Sequence, residues 1–343
     1  MYTKDEIIEN VIKIRKEIGH EYVKPEIREI YYNDDTDELT IITPDRPEKS
    51  IIIGKGGWVV GKLREKLQIN SIHVVSYTDI ILKEYQLQLA KNNIEKLIKN
   101  KQIPTSYIPV FENIYELLKL KHSHAYDNNI IINYIKKNIN RTPYENADVT
   151  VALSGGVDSS FSLLLAKALG FNVHAFSVDP GTIILPKQFH YNIDNLIKKT
   201  EIQHEYLEVD MKQIINDALS GKIHPCGRCS SFIEKTIHKK TANMNIPIMI
   251  YGDLLSTGSQ AITFNDNIMR INLPALMRME KNEIKNIVVD YDVKKIKGYG
   301  CPLVVQVHHK YPQYKSFSIQ RVLRETRAGI LEPGEALDLI NTI

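Results

Sequence analysis

The residues best suited to chemistry form a short turn between a predicted strand and a predicted helix. An apolar, β-branched run over residues 148–153 meets Ser154-Gly155-Gly156, and an apolar-periodic helix is predicted from about Asp158 to Leu169. Glycine lets the backbone approach a ligand closely, and the first amides of a helix are unpaired donors that favour negative charge. The neighbouring serine hydroxyls add further donors. The turn is therefore predicted to bind phosphate.

This loop lacks the Gly-Lys-Ser/Thr ending of the Walker loop and the Gly-x-Gly-x-x-Gly pattern of dinucleotide folds. Instead, Ser154-Gly155-Gly156-Val157-Asp158-Ser159 resembles the pyrophosphate loop of the PP-loop ATP pyrophosphatases. The resemblance implies that ATP is cleaved between its α and β phosphates, that AMP is placed on a substrate oxygen, and that Asp158 helps to hold Mg²⁺. The residues implied to bind the nucleotide are Ala152, Leu153, Ser154, Gly155, Gly156, Val157, Asp158, Ser159, Ser160, Ser177, Val178 and Gly252. An ordinary strand–turn–helix with small turn residues is the alternative interpretation.

Three cysteines form a second group of reactive residues. They are the pair in Cys226-Gly227-Arg228-Cys229 and the later Cys301. Cys-x-x-Cys is a metal or redox pattern, and an iron–sulfur cluster with one open iron fits three thiolates. Zinc with His224, His308 or His309 as fourth ligand is the competing interpretation. A helix-capping pair plus an unrelated core cysteine needs no metal.

The order of phosphate loop, Cys-x-x-Cys and single later cysteine resembles the tRNA thiolation branch of the PP-loop enzymes over residues 148–305. The resemblance implies that Cys226, Cys229 and Cys301 hold a [4Fe-4S] cluster. It also implies that sulfur from a sulfide, a persulfide or a sulfur-carrier protein replaces an adenylated oxygen of a base. The three cysteines would then be catalytic as well as metal ligands.

The chain departs from that branch at two places. Where thiolation enzymes often carry Gly-His-x-x-Asp-Asp, this chain has Gly252-Asp253-Leu254-Leu255-Ser256-Thr257-Gly258, so one of the two carboxylates is missing. The remaining one, Asp253, would orient the base or assist a proton transfer. Some members also carry a basic residue shortly after the cysteine pair; Lys235 is displaced from that position, and its role stays open.

The N-terminal part of the chain has a different pattern. The predicted elements are a helix over 3–19, strands over 26–32 and 38–43, the loop Gly54-Lys55-Gly56-Gly57, a helix over 58–67 and a strand over 71–75. This order resembles a type II KH domain, which implies that unpaired RNA is bound. The residues implied to bind RNA are Gly54, Lys55, Gly56, Gly57 and Lys62. The alternative is a glycine-rich turn that binds nothing.

Strands and helices alternate from residue 148 onward, which predicts an α/β fold with a mainly parallel, doubly wound sheet. The strands are predicted over 148–153, 172–178, 203–209 and 247–252, and the helices over 158–169, 186–200, 211–219 and 230–245. Ligands bind such sheets at the carboxyl ends of the strands. The predicted regions are a KH-like domain over 1–100, a helical linker over 101–145 and a catalytic domain with a C-terminal helical extension over 146–343.

Composition limits the classes of protein. The net charge is +3, from 44 basic and 41 acidic residues, so a surface that binds nucleic acid must be local. No apolar run reaches the roughly 18 residues of a membrane span, the N-terminal residues lack a signal-peptide core, and three cysteines make no disulfide framework. These features predict a cytoplasmic protein without a membrane partner; a homodimer stays open.

Together, the resemblances predict an ATP-dependent tRNA sulfurtransferase whose partners are tRNA or another RNA and a sulfur donor. Sulfur insertion into a small molecule is one alternative, and an RNA-binding regulator that senses ATP is another. Amidation of a base, or addition of lysine to it, would use the same adenylation but would not need the cysteines.

Overall fold

The computed structural model describes residues 2–34, 36–255, 258–294 and 298–343. The chain divides into two units, Met1–Tyr85 and Gln86–Ile343. This division differs from the expected boundary at residue 100. The predicted linker over 101–145 belongs to the second unit, because its two helices pack into that unit's main hydrophobic core. Ser256 and Thr257, in the segment compared above with Gly-His-x-x-Asp-Asp, lie outside the described residues.

The N-terminal unit is a three-stranded sheet with helices. Its elements are α1 (Lys4–Glu17), β1 (Glu29–Asn33), β2 (Glu38–Thr43), α2 (Arg46–Ile53), α3 (Trp58–Leu67), β3 (Ser71–Ser76) and the beginning of α4 (Tyr77–Lys99). The strand order is β1-β2-β3, with β1 antiparallel and β3 parallel to β2. Apolar residues at helical spacing on α1 and α3, such as Val11 and Leu63, are fully buried against β2.

The second unit contains a six-stranded sheet covered by helices. Its elements, after α4, are α5 (Ile108–Ser123), α6 (Ile130–Asn138), β4 (Asp148–Ala152), α7 (Val157–Leu169), β5 (Asn172–Asp179), α8 (Lys187–Thr200), β6 (Gln203–Glu208), α9 (Lys212–Leu219), α10 (Pro225–Asn243), β7 (Ile248–Tyr251), β8 (Ile262–Asn265), β9 (Ile268–Asn272), α11 (Leu273–Leu276), α12 (Lys281–Val288), α13 (Pro302–Lys310), α14 (Lys315–Arg327) and α15 (Pro333–Thr342). The strand order is β6-β5-β4-β7-β9-β8, and only the edge strand β8 is antiparallel to its neighbour. The predicted α/β class with a mainly parallel sheet is confirmed.

The central strand β4 and the helix that follows it form the middle of this unit. Val149 and Val151 are fully buried, and nearly all of α7 is buried because it packs between the sheet and the helices α6, α11 and α12. A strand that is buried on both faces reads as a continuous apolar run, which is why the sequence located it correctly. The loop between β4 and α7 is consequently held by rigid elements on both sides.

Two predicted helical regions have different bounds in the structure. The linker over 101–145, which was predicted to be helical, contains the two helices α5 and α6. The helix expected over 230–245 is α10, which begins earlier, at Pro225. Proline suits the first turn of a helix, where its missing amide hydrogen would have no partner. Cys226 and Cys229 therefore lie within the first turns of α10 and do not precede it.

The β8–β9 hairpin was not predicted from the sequence. Its two-residue turn, Asp266 and Asn267, has φ of +45° and +65°, which suits the twist of a tight hairpin. In the part of the chain that the structure describes, no helix is both long and apolar enough to cross a membrane.

A buried ion pair connects two helices of the second unit. The Lys121 ammonium lies 2.9 Å from the Glu283 carboxylate, and neither side chain is more than 2% exposed. The other carboxylate oxygen of Glu283 accepts a hydrogen bond of 2.8 Å from the Glu280 amide at the start of α12. The pair thus ties α5 to the first turn of α12.

We expect Lys121→Met to lower the free energy of unfolding of the second unit by about 3–5 kcal/mol, because it leaves the Glu283 carboxylate buried without its cation. Urea unfolding of the full chain measures the loss. Lys136→Met is the matched control, since Lys136 pairs with Asp290 in the same unit but both side chains are about half exposed; its loss should be below about 1 kcal/mol. Equal losses in the two variants would contradict a stabilising role for the buried pair.

Candidate functional site

Serine hydroxyls close the predicted phosphate loop on itself. The Ser159 hydroxyl accepts a hydrogen bond of 3.1 Å from the Ser154 amide and donates one of 3.1 Å to the Gly156 carbonyl. The Ser154 and Ser159 hydroxyl oxygens are 3.0 Å apart. These hydroxyls, which were predicted to contact phosphate, therefore shape the loop between β4 and α7.

Gly155 occupies a position that only glycine fits. Its φ is +72°, and a β-carbon there would lie 2.5 Å from the Phe189 carbonyl oxygen. The Gly155 carbonyl accepts a hydrogen bond of 2.9 Å from the Asn192 side-chain amide, which also bonds the backbone of Lys294. Asn192 holds the loop from α8, and its position in a helix gave no signal of this role in the sequence.

The first turn of α7 carries two buried polar atoms without a hydrogen-bond partner among the described residues. They are Oδ1 of Asp158 and the Ser160 hydroxyl oxygen. The other Asp158 carboxylate oxygen pairs with the Lys281 ammonium at the start of α12. Buried polar atoms are almost always satisfied, so these two fit a loop that is completed by a bound group such as a phosphate with its Mg²⁺. The residues present therefore fit the predicted ATP and Mg²⁺.

Lys281 is a candidate site residue that the sequence reasoning missed. Its amine is mostly buried and reaches Asp158 from a part of the chain that is distant in sequence. A lysine in this position can contribute positive charge beside a phosphate loop. In the sequence, Lys281 reads as an ordinary lysine at the start of an amphipathic helix, so nothing there indicated a role in the site.

Gly252, which follows β7, lies against the phosphate loop. A β-carbon at Gly252 would be 2.8 Å from the Ser159 amide nitrogen, so the end of β7 approaches the first turn of α7 closely. The Ser162 hydroxyl oxygen lies between the two elements, 2.9 Å from the Asp158 carbonyl oxygen and 3.2 Å from the Tyr251 carbonyl oxygen, and shares its one hydrogen between them.

The predicted nucleotide residues on β4 and β5 mainly build the frame. Leu153 is buried, and its amide donates to the Phe176 carbonyl at 2.9 Å. Ser177 is buried, and its hydroxyl donates to the Leu153 carbonyl at 2.6 Å, while Val178 packs against α10. Ala152 ends β4, and Val157 begins α7. Because these side chains are used in packing, only the backbone groups at these strand ends can contact a nucleotide.

The cysteine pair and Cys301 lie at the beginnings of two helices. Cys301 is the residue immediately before α13, whose start is tied to the segment after β5 by a hydrogen bond of 3.0 Å from the Leu303 amide to the Ile183 carbonyl. The helix α10 packs against β5 and β7 and then leads into the beginning of β7, so its first turn, with Cys226, lies toward the carboxyl edge of the sheet. All three cysteines are therefore on the same edge as the phosphate loop.

The three thiols influence one another electrostatically. Burial raises the pKa of Cys226, and burial together with the nearby Cys301 and Cys226 raises the pKa of Cys229 to about 12. Arg321 acts in the opposite direction and favours the Cys226 thiolate. Among the described residues, no three His, Cys, Asp or Glu side chains form a group that could hold a metal. The three thiols are therefore close enough to influence one another and are suitable ligands for iron or zinc, but they are not arranged as a preformed metal site.

Two of the histidines proposed as a fourth zinc ligand are near each other. The Nε2 atoms of His224, which precedes α10, and His308 on α13 are 3.4 Å apart, and His308 Nε2 is 3.2 Å from the Ser318 hydroxyl oxygen. Burial lowers the pKa of both imidazoles, so both favour the neutral form that binds metal. His309 and Lys235 are exposed on α13 and α10.

Asp253 takes part in a charged group that the sequence did not indicate. Its carboxylate accepts a hydrogen bond of 2.6 Å from Arg270 on β9, which also pairs with Glu234 on α10. The Arg270 guanidinium lies 4.2 Å from the centre of the Tyr251 ring. Asp253 is thereby oriented at the end of β7, where a carboxylate could contact a substrate.

The residues predicted to bind RNA have different roles in the N-terminal unit. A β-carbon at Gly54 would lie 2.3 Å from a Val59 methyl group, so this glycine is required for packing. Gly57 has φ of +77° and open space around it. Lys55, Gly56 and Lys62 border a cavity of about 470 Å³ together with Ile18, His20 and Trp58. The sequence reasoning did not single out Trp58 or His20.

Two solved structures resemble this chain at low similarity. The U34-tRNA thiolase NcsA from Methanococcus maripaludis, with its [4Fe-4S] cluster, is 14% identical with a TM-score of 0.38 and covers 62% of this chain and 76% of its own. The NMN synthetase from Francisella tularensis is 16% identical with a TM-score of 0.35 and covers 61% of this chain and 90% of its own. Similarities at this level carry no argument about activity.

A family model matches the part of the chain that contains the phosphate loop. Residues 148–245 match the model of the queuosine biosynthesis protein QueC. The matched range runs from β4 through α10 and includes both the loop and Cys226-Gly227-Arg228-Cys229. This match supports the PP-loop ATPase superfamily, which agrees with the resemblance of the loop.

Two proteins of Methanocaldococcus jannaschii are similar in sequence. The uncharacterized protein MJ1599 is 28% identical over 193 residues, which are 54% of this chain and 69% of that protein. The uncharacterized protein MJ1638 is 36% identical over 185 residues, which are 54% of this chain and 70% of that protein. At this identity and coverage, the chain belongs to the same family as MJ1638.

Proposed function

We propose that the protein is an ATP-dependent tRNA sulfurtransferase that adenylates a base carbonyl oxygen and exchanges it for sulfur. The observation that carries this proposal is the shared edge of one parallel sheet, where a phosphate loop with an unpartnered Asp158 oxygen and three neighbouring thiols both lie. ATP activation needs the first feature, and sulfur chemistry needs the second. The QueC match over the loop adds support for the ATP-using part.

In this proposal the phosphates of ATP bind at the start of α7. The free amides of the first turn face the phosphates, and Oδ1 of Asp158 would help to hold a Mg²⁺ ion, which would supply positive charge for the pyrophosphate leaving group. Lys281 then has two roles. Without nucleotide its ammonium pairs with the Asp158 carboxylate, and with nucleotide bound it can contribute positive charge next to the phosphates.

The chemistry begins when the base oxygen attacks the α-phosphate and pyrophosphate leaves. The base oxygen is then part of a phosphate ester, so AMP departs with that oxygen when sulfur from a sulfide-level donor bonds to the carbon. Asp253, whose carboxylate is held by Arg270, would orient the base or accept a proton from it. A [4Fe-4S] cluster held by Cys226, Cys229 and Cys301 would supply an open iron for sulfur.

The N-terminal unit is proposed to be the KH-like module that binds the RNA. Its element order and the exposed loop around Lys55 support this role, since such modules bind unpaired nucleotides. In this proposal Lys55 and Lys62 contact phosphates.

A small-molecule acceptor is the second candidate. The observation that favours it is the matched family model, which is named for queuosine biosynthesis and not for an RNA enzyme. The same loop and thiols would then act on a free base-like compound. Release of pyrophosphate that depends on RNA separates the two candidates.

We expect Asp158→Asn to lower RNA-dependent pyrophosphate release at least about 100-fold, because the loop loses its charge for Mg²⁺. Cys226→Ser should leave pyrophosphate release near the level of the unchanged protein and abolish thiolation. Coupled pyrophosphate detection and mass spectrometry of nucleosides from total tRNA measure the two steps. Asp290→Asn, which changes a half-exposed carboxylate in the same unit, is the control. Thionucleoside formation by the Asp158 variant would overturn the scheme.

We expect the anaerobically purified protein to contain iron and sulfide, and each of Cys226→Ser, Cys229→Ser and Cys301→Ser to lose both. Elemental analysis together with visible absorption measures the content. His224→Ala distinguishes the alternative metal, because it should leave an iron–sulfur cluster in place but weaken zinc held with a fourth histidine ligand. Purified protein that contains zinc and no iron would contradict the cluster.

A further inference from the structure

The cavity beside the Gly54-Lys55-Gly56-Gly57 loop has the features of a base-binding pocket. It is an open depression of about 470 Å³ that lies wholly within the N-terminal unit. Its lining is formed by Ile18, His20, Lys55, Gly56, Trp58 and Lys62. A nucleobase with its sugar is a ligand of the size that such a cavity accepts.

Trp58 gives the cavity an aromatic surface. It is the only tryptophan of the chain, and its side chain is 66% exposed although it is the largest apolar side chain type. The residues that follow it on α3, Val59 and Leu63, are fully buried. The helix therefore does not use Trp58 for its own packing, and the ring is free to stack with a planar ligand.

The space beside the ring is kept open by glycine. Gly56 has φ of +62°, and a β-carbon there would already lie 3.4 Å from Cδ1 of Trp58. A larger side chain at this position would cover the edge of the indole. The backbone conformation and the absent side chain thus both leave the ring accessible.

The charge of the lining favours an anion. The polar side chains of the cavity are the ammonium groups of Lys55 and Lys62 and the His20 imidazole, and the lining contains no carboxylate. Aromatic stacking between positive charges is the pattern by which proteins bind single-stranded nucleic acid. A neutral apolar ligand would not need the two lysines.

We propose that this cavity holds one unpaired RNA base, which stacks on Trp58 while the adjoining phosphates contact Lys55 and Lys62. The inference rests on the proposed function, in which the acceptor is RNA. It adds a site where a base stacks on an aromatic ring, which the proposed lysine–phosphate contacts do not provide. In this proposal Trp58 binds the acceptor RNA and has no part in catalysis. In sequence it is distant from the residues proposed to react.

The single tryptophan makes the test direct, because the indole emission of the full chain comes from Trp58 alone. A short single-stranded oligouridine and an unmodified tRNA transcript are titrated into the full-length protein. Affinity is measured in parallel by filter binding. We expect the emission to be quenched along the same curve as binding.

Variants separate stacking from charge. Trp58→Ala should weaken RNA binding by about 5- to 150-fold, which corresponds to the loss of one stacked base, and Trp58→Phe should keep most of the affinity. Lys62→Gln should weaken binding and lower the slope of affinity against salt by about 0.7 for one lost phosphate contact. Tyr22→Ala is the control, because this tyrosine is 77% exposed in the same unit and does not line the cavity.

Three results would overturn the proposal. They are an unchanged emission when filter binding shows that RNA is saturating, an unchanged affinity of Trp58→Ala, and equal quenching by polyphosphate, which has the charge of RNA but no bases. If an oligodeoxynucleotide binds with equal affinity, the cavity accepts any single-stranded nucleic acid, and the proposed specificity for RNA is wrong.

The outcome is independent of thiolation. If RNA quenches Trp58 but no thionucleoside depends on the protein, the base-binding pocket stands and the proposed activity fails. If thionucleosides depend on Asp158 while Trp58 does not respond to RNA, the activity stands and the pocket fails.

Discussion

The contact between Lys121 and Glu283 is the constraint on which the second unit depends, because a charge left unpaired in the interior costs several kcal/mol, about 3–5 kcal/mol when one partner is removed. It fixes α5 relative to α12, and the second oxygen of Glu283 orders the first turn of α12 through the Glu280 amide. Lys281 lies in that turn and reaches Asp158 in the phosphate loop. A charge pair in the core therefore helps to fix the helical turn that carries Lys281.

The parts of the fold that the sequence predicted well depend on local patterns. The phosphate loop could be located from a few residues because each local pattern predicts its own conformation. These patterns are the apolar run of β4, the Ser154-Gly155-Gly156 turn and the periodic apolar residues of α7. The helix α3 was predicted with its observed ends, Trp58 and Leu67, because the glycines before it mark its start.

The remaining site residues depend on contacts between distant parts of the chain. Asn192, Lys281 and Arg270 are ordinary polar residues in sequence, and only the packing of their helices and strand brings them to Gly155, Asp158 and Asp253. The start of α10 was predicted five residues too late, at residue 230, although Pro225 is well suited to begin a helix.

The segment that follows β5 contacts both halves of the site. The Ile183 carbonyl holds the start of α13 next to Cys301, and a few residues later the Phe189 carbonyl lies against Gly155 in the phosphate loop. A displacement of this segment would move both contacts together. Under the proposed function, a nucleotide that displaced Gly155 would press on the same segment that holds the start of α13 beside Cys301, so the two parts of the site share one physical connection.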